Sequence, residues 1–198
     1  MRSWRAPLSS WESAWLIAIP VVGALLLLTV SLGMKTGPLV RVSADNMRAY
    51  TALPDLCAFP ADQLPDPLLR PDPDSKELDR NSAACTFARE GGTTSVRIEA
   101  ARPDASSYKT ADERLAAALE SFQRESSSVG GTFTPLTLGE QAKIAVHDQE
   151  KGADLLVRDG MLVVEVAVLI PGGSPDQARG AALGIATELL RTLPPDRR

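Results

Sequence analysis

The sequence predicts an α+β protein in which one N-terminal transmembrane helix is followed by a mainly antiparallel sheet covered by two helices. Three observations predict this class: a long apolar run at 13–34, later segments that alternate apolar and polar residues, and two segments with a single apolar stripe at helical spacing. Because each of these two helices has one apolar stripe, both are expected to pack on one face of the sheet.

The composition is that of an ordinary folding domain, and it excludes several functional classes. The 198 residues are 44% hydrophobic and 23% charged, with a formal net charge of −4. This mild acidity argues against a nucleic-acid partner, which would require a basic surface. One His and two Cys are too few soft ligands for a zinc site, so the sequence predicts no metal and no cofactor.

Residues 13–34 are the predicted transmembrane helix. The stretch contains no ionisable side chain, and about 20 apolar residues in a helix cross a bilayer core. The aromatic residues at the start of this segment favour a position at the level of the lipid headgroups. Residues 1–12 are then a cytoplasmic tail, and residues 35–50 are a linker. The predicted anchor residues are Trp15, Leu16, Leu25, Leu26, Leu27 and Leu28.

A cleaved signal peptide and a buried core helix are the alternatives to a retained anchor. The segment Leu16–Val30 lacks the polar face of a soluble helix. A cleavable signal has a shorter apolar region followed directly by a small-x-small site, whereas Val42-Ser43-Ala44 lies well beyond the apolar run. A retained anchor is therefore predicted, and cleavage after Ala44 is its main rival.

Cys57 and Cys85 are predicted to form a disulfide, which decides the orientation of the chain. Six prolines between 54 and 73 keep the first cysteine in irregular loops, whereas Cys85 lies in a predicted strand at 82–88. Closing this loop would stabilise the fold by about 3.6 kcal/mol in the chain-entropy model, with free buried thiols as the alternative. Positive charges flank the apolar run on both sides, but disulfides persist outside the reducing cytosol. The domain 51–195 is therefore expected to be extracytoplasmic.

Two segments of this domain carry helix signals. Thr110 and Glu113 have capping-box spacing and begin a predicted helix that ends near 126. Ser174, Pro175 and Gln177 match the N-cap, N1 and N3 positions of a last helix that ends near 193. The apolar stripe of the first helix is Leu115, Ala118, Leu119 and Phe122, and that of the last is Ala182, Ile185, Ala186, Leu189, Leu190 and Leu193.

The strongest turn signal in the domain is Asp159-Gly160, between the apolar runs 153–158 and 161–170. Asp-Gly favours a tight hairpin because both central residues can adopt positive φ. The second run is almost continuously apolar, which predicts a central strand. Alternation also predicts a strand at 94–100, and shorter extended segments are predicted at 133–138 and 143–147.

Four short motifs together carry a family resemblance. They are Asp55-Leu56-Cys57, Cys85-Thr86-Phe87, Leu138-Gly139-Glu140-Gln141-Ala142 and the Arg158-Asp159-Gly160 hairpin. With the proline-rich lead-in, they resemble actinobacterial two-cysteine cell-envelope domains of unknown function, which are often lipoproteins. The resemblance covers about 50–193 and implies a PsbP-like α/β sandwich with no agreed catalytic residue. The chain departs from the family in having Phe87 where Trp is common and a predicted helix where the family has a lipidated Cys.

Candidate chemical groups are few. His147 is the only imidazole, and its neighbour Asp148 would point to the opposite face of a strand, so a structural or surface role is predicted. The paired glycines lack phosphate-loop spacing, and the acidic stretch lacks the spacing of a calcium loop. The sequence therefore predicts no catalytic, cofactor-binding or metal-binding residue.

The predicted function is that of a single-pass membrane-anchored, extracytoplasmic binding or accessory module of the bacterial cell envelope, without enzymatic activity. Its expected partners are the lipid bilayer and an envelope or membrane protein, and not nucleic acid. All three Trp precede or begin the membrane helix, so a protein partner is expected to be held partly through that helix. The alternative is a receptor for a small apolar ligand between sheet and helices, which a cavity above a few hundred cubic ångströms would favour.

Overall fold

The computed structural model describes residues 50, 52–129 and 131–193. The predicted tail, the transmembrane helix with its six anchor residues, and the linker up to residue 49 lie outside these residues. Among the described residues, no helix has both the length and the apolar character needed to span a bilayer.

Eight strands form one sheet, and each pairing between described strands is antiparallel. The spatial order is β1-β3-β4-β8-β7-β6-β5, with β2 also pairing with β3. The last strand therefore lies in the middle of the sheet, as its almost continuously apolar sequence predicted. The strands are β1 (Arg70–Pro71), β2 (Glu77–Leu78), β3 (Ser82–Ala88), β4 (Ser95–Ala101), β5 (Thr134–Leu136), β6 (Gln141–His147), β7 (Gly152–Asp159) and β8 (Leu162–Leu169).

Within the described residues two long helices accompany the sheet, α1 (Ala111–Ser128) and α2 (Pro175–Thr192). Both begin with the predicted capping boxes, in which the N-cap residues Thr110 and Ser174 exchange hydrogen bonds with the N3 residues. In the chain, α1 leads from β4 to β5 at the far edge of the sheet. The strands β5 to β8 then return across the sheet until β8 pairs with β4. The α+β class with a mainly antiparallel sheet and two helices is therefore confirmed.

The two helices lie on opposite faces of the sheet, so the expectation that both cover one face was wrong. Leu156 of β7 and Val163 of β8 pack with α1, whereas their neighbours Leu155 and Val164 belong to the core that α2 covers. Adjacent residues of a strand point to opposite faces. An apolar stripe shows that a helix is covered on one side, but it does not specify which face of the sheet covers it. We call the side of the sheet with Leu156 and Val163 the α1 face, and the side with Leu155 and Val164 the α2 face.

The α2 face holds the main hydrophobic core. The proline-rich segment covers this face together with α2, and it buries Leu56, Phe59, Leu64 and Leu69 in the same cluster. Helix α2 buries Ala178, Ala182, Ile185, Ala186 and Leu189.

Cys57 and Cys85 form the predicted disulfide, with the two Cα atoms 5.3 Å apart. The bridge ties a short 3-10 turn, Leu56–Ala58, to β3. Cys85 is fully buried among the apolar side chains of the α2 face. The bridge therefore fastens the proline-rich segment onto the core that it covers.

The β7–β8 hairpin is present, but its turn lies one residue later than predicted. Asp159 belongs to β7 and pairs with Leu162, so the two central residues are Gly160 and Met161. Of these two central residues, only Gly160 has positive φ, at 61°. Glycine at the first central position is typical of a type II′ turn, whereas the predicted Asp-Gly turn requires positive φ at both positions.

Both edges of the sheet consist of short strands, and each edge includes a proline. At one edge β1 and β2 have two residues each and β1 includes Pro71, and at the other β5 has three residues and includes Pro135. Because proline has no amide hydrogen, neither edge offers a complete row of donors.

Candidate functional site

The α1 face is only partly covered, and charged side chains lie on it in the middle of the sheet. Helix α1 buries only Ala118 and Phe122 against it. The strand register places several charged or titratable residues on this face, which are Arg97, Glu99, Lys143, His147, Asp154 and Glu165. An antiparallel sheet often leaves one face partly solvated, and the cluster of charged groups makes this face the candidate functional site.

Glu99 and Glu165 lie directly opposite each other on β4 and β8. Like charges in this position repel each other. Burial, followed by the negative charges of Glu99, Glu125 and Asp154, raises the pKa of Glu165 to about 7, against the opposing effect of Arg97. Glu165 therefore exchanges its proton near neutral pH, and the charge of the α1 face changes with it.

His147 pairs with Asp154 on the neighbouring strand, with 2.5 Å between Nε2 and Oδ2. The two side chains are 23% and 22% exposed, so solvent reaches the pair. The carboxylate fixes the orientation of the imidazole ring. An open pocket of about 420 Å³ surrounds the pair and is also lined by Val129, Gly131 and Glu150.

Sequence reasoning missed this pair because it considered only Asp148. In the register of β6 and β7, His147 lies opposite Gly152, which places Asp154 diagonally across on the same face. Joining the predicted strands 143–147 and 153–158 as a hairpin would have identified the correct partner. No group of three or more His, Cys, Asp or Glu suited to a metal occurs within the described ranges.

Lys143 links α1 to the sheet through aromatic rings. Its Nζ lies 4.5 Å from the ring centroid of Phe122 and 5.2 Å from that of Phe133. Both distances are suited to cation–π attraction. Burial lowers the pKa of Lys143, because desolvation disfavours the charged form.

A smaller cavity, of about 180 Å³, lies between α1 and the end of β4. Part of its wall is apolar and consists of Ala101, Pro103, Ala117, Ala118 and Val163. The remaining wall is polar and consists of Arg102, Tyr108, Ser121 and Arg124.

Two motifs of the family resemblance meet at the β7–β8 hairpin. Arg158 is buried, donates to the Gly160 carbonyl oxygen at 2.7 Å and forms an ion pair with Glu140 at 2.7 Å. Gly139 has φ 59°, and a Cβ atom there would lie 2.9 Å from the Arg158 carbonyl oxygen. Asp159 accepts a hydrogen bond from the Tyr50 hydroxyl. These contacts give the motifs a structural role in holding the hairpin.

The structure therefore brings together the predicted cysteines and the two hairpin motifs, whereas the anchor residues lie outside the described ranges. In comparisons with known proteins, no family model, no curated protein and no solved structure matches this chain.

Proposed function

We propose that the chain is a single-pass membrane-anchored, extracytoplasmic binding or accessory module of the bacterial cell envelope, without enzymatic activity. In this proposal residues 13–34 hold the protein in the membrane, and the α1 face is the binding surface of the external domain. The family relationship to actinobacterial two-cysteine envelope domains is part of the same proposal.

The Cys57–Cys85 disulfide is the observation that carries this proposal. Disulfides that hold a fold together persist in oxidising compartments and are rare in the reducing cytosol. This one attaches the segment that covers much of the α2 face, so it helps to hold that segment on the core. A domain of this kind next to a long apolar run is typical of a protein anchored at the outer side of a membrane.

The α1 face is favoured as the binding surface because the α2 face is already filled. The α2 face is buried under α2 and the proline-rich segment, whereas the α1 face keeps charged side chains and open pockets. The cavity between α1 and the sheet is about 180 Å³, and two arginines, Arg102 and Arg124, are among its lining residues. It is more polar than a site for a purely apolar ligand and smaller than a drug-sized ligand pocket, which favours the binding module over the apolar-ligand receptor.

Topology fusions test the proposal. A reporter that is active only outside the cytosol should be active when fused after Arg198 and silent when fused before Met1. The reverse pattern, or activity at both ends, would refute the proposed orientation. N-terminal sequencing of the mature protein provides a control, since a chain that starts at Asp45 would show that the anchor is cleaved.

A pull-down tests the proposed mode of partner binding. Full-length protein is expected to co-purify with an envelope partner, and residues 45–198 alone should bind it weakly because part of the contact lies in the membrane helix. Full affinity in the soluble fragment would place the interface on the folded domain alone.

A further inference from the structure

We propose that the cavity between α1 and the end of β4 binds a small organic anion that has a carboxylate or phosphate head and a compact apolar body. The inference rests on the proposed function only in taking the domain to be a binding module, and it does not require the membrane anchor. The positive charge of the cavity wall, the hydroxyl groups that line the cavity and the volume of the cavity support this inference.

The charge of the cavity wall is positive, although the chain as a whole carries −4. Arg102 and Arg124 both line the cavity, and no carboxylate is among its lining residues. Arg124 has only a 3.5 Å contact with Glu120, and the two side chains are 66% and 75% exposed. An exposed pair at this distance neutralises little charge, so Arg124 can bind a ligand instead.

Arg102 is held in place by neutral groups. Its guanidinium donates to the carbonyl oxygens of Arg80 and Tyr50 through Nε and both terminal nitrogens. These three hydrogen bonds use three of the five guanidinium donors, and carbonyl groups do not cancel its charge. Arg102 therefore adds a positive charge to the residues that line the cavity, and its side chain is held in a fixed position.

Two hydroxyl groups add hydrogen-bonding capacity to the cavity. Tyr108 and Ser121 line it, and neither hydroxyl has a side-chain or backbone partner within the described part of the chain. Hydroxyl donors next to guanidinium groups are well suited to the oxygens of a carboxylate or phosphate.

The size and apolar wall of the cavity define the rest of the ligand. A volume of about 180 Å³ is close to the roughly 150 Å³ of an apolar protein cavity that holds benzene. Ala101, Ala118 and Val163 form an apolar surface against which one ring or a branched aliphatic group can pack. The ligand class is therefore a small anion of single-ring size.

Ligand titrations of the full-length protein in detergent test this inference. Benzoate and phenyl phosphate are the anionic probes, and benzyl alcohol and benzylammonium are neutral and cationic probes with the same ring. We expect an anion to bind with a Kd of about 1 mM or below, the alcohol to bind about tenfold more weakly and the cation not to bind. Comparing benzoate with phenyl phosphate distinguishes a carboxylate site from a phosphate site.

Two variants locate the binding. Arg124→Gln should weaken anion binding about tenfold, because it removes a charge-assisted hydrogen bond. Ser121→Leu should abolish binding by filling the cavity. The matched control is Arg179→Gln, which removes an exposed charge from α2 on the other face and should leave binding unchanged.

Several results would overturn the inference. Equal binding of benzoate and benzyl alcohol would show that charge does not matter, and unchanged anion binding in both Arg124→Gln and Ser121→Leu would place the site elsewhere. No binding of either anion by the folded protein up to about 10 mM would also overturn it. The reporter fusions measure topology separately, so failure of the anion site and failure of the proposed function are distinguishable.

Discussion

The two faces of the sheet differ in how their helices are attached. Helices α1 and α2 both have 18 residues and both begin with a capping box, yet α2 buries five residues and α1 buries two. The α2 face is apolar and reinforced by a disulfide, whereas the α1 face has opposed glutamates and a histidine–aspartate pair. Local signals make both helices form, but packing decides how firmly each is held. We infer that the α2 face supplies most of the stability and leaves the α1 face free to carry function.

Deletion of apolar groups on the two faces should give the largest difference. Ile185→Ala, at a fully buried position of α2, should lower the free energy of unfolding by about 4 kcal/mol, because it leaves a cavity in the core. Leu119→Ala, at a half-buried position of α1, should cost about 1 kcal/mol. Urea denaturation measures both values. Equal losses would mean that the two faces contribute equally to stability.

Loss of the disulfide should have the next largest effect. Cys57→Ser should destabilise the domain by about 3 kcal/mol, because the unfolded chain gains entropy when the cross-link is removed. Hydrogen exchange should show faster opening of β3 and unchanged local opening of α1, since the bridge lies on the α2 face. Reduced wild-type protein is the matched control and should behave as the variant does. Equal stability of oxidised and reduced protein would contradict the role assigned to the bridge.

The α1 face should give the domain a pH-dependent stability near neutrality. The pKa of Glu165 is raised in the folded state to about 7, so between about pH 4.5 and 7 the folded state binds more protons than the unfolded state. Stability should therefore fall as pH rises through this window, by about 1–2 kcal/mol once solvent screening of this half-buried group is considered. Thermal unfolding from pH 5 to 8 measures the slope. Glu165→Gln should remove it, and the exposed Glu120→Gln should not.

Two glycine substitutions should have small effects of opposite sign. Gly160→Ala should destabilise by about 1–2 kcal/mol, because the residue has φ 61° in the hairpin turn. Gly180→Ala should stabilise by about 1 kcal/mol, because a Cβ atom there meets nothing within 4 Å and alanine favours the helix. Thermal melting of both variants decides the signs. A neutral Gly160→Ala would show that the turn does not need positive φ.

The parts of this fold that depend on local chemistry could be predicted from the sequence. The capping residues Thr110 and Ser174, the strands around Cys85 and the central position of β8 follow from spacing and hydrophobic pattern alone. The placement of α1 could not be predicted in this way, because its stripe fits either face of a sheet. The expected turn at Asp159-Gly160 was displaced by one residue because Asp159 pairs in the β7–β8 register.

The candidate site was less predictable than the fold because it is assembled across strands. Asp154 reaches His147, and Glu165 meets Glu99, only through the register of neighbouring strands. Glu99 and Glu165 are far apart in the sequence, so the strand order is needed to find their contact, whereas His147 and Asp154 need only the register of one hairpin. The Cys57–Cys85 pair was the exception, since the chain has only two cysteines.

The proline-containing edge strands have a consequence for how copies of this protein meet. A sheet with a long open edge can add a strand from a neighbouring copy and grow into a polymer. Here an approaching copy meets only two- and three-residue strands, and Pro71 and Pro135 in two of them lack the amide donor needed to continue the ladder. Domains crowded side by side on one surface can therefore collide repeatedly without pairing their sheet edges, so crowding need not lead to aggregation.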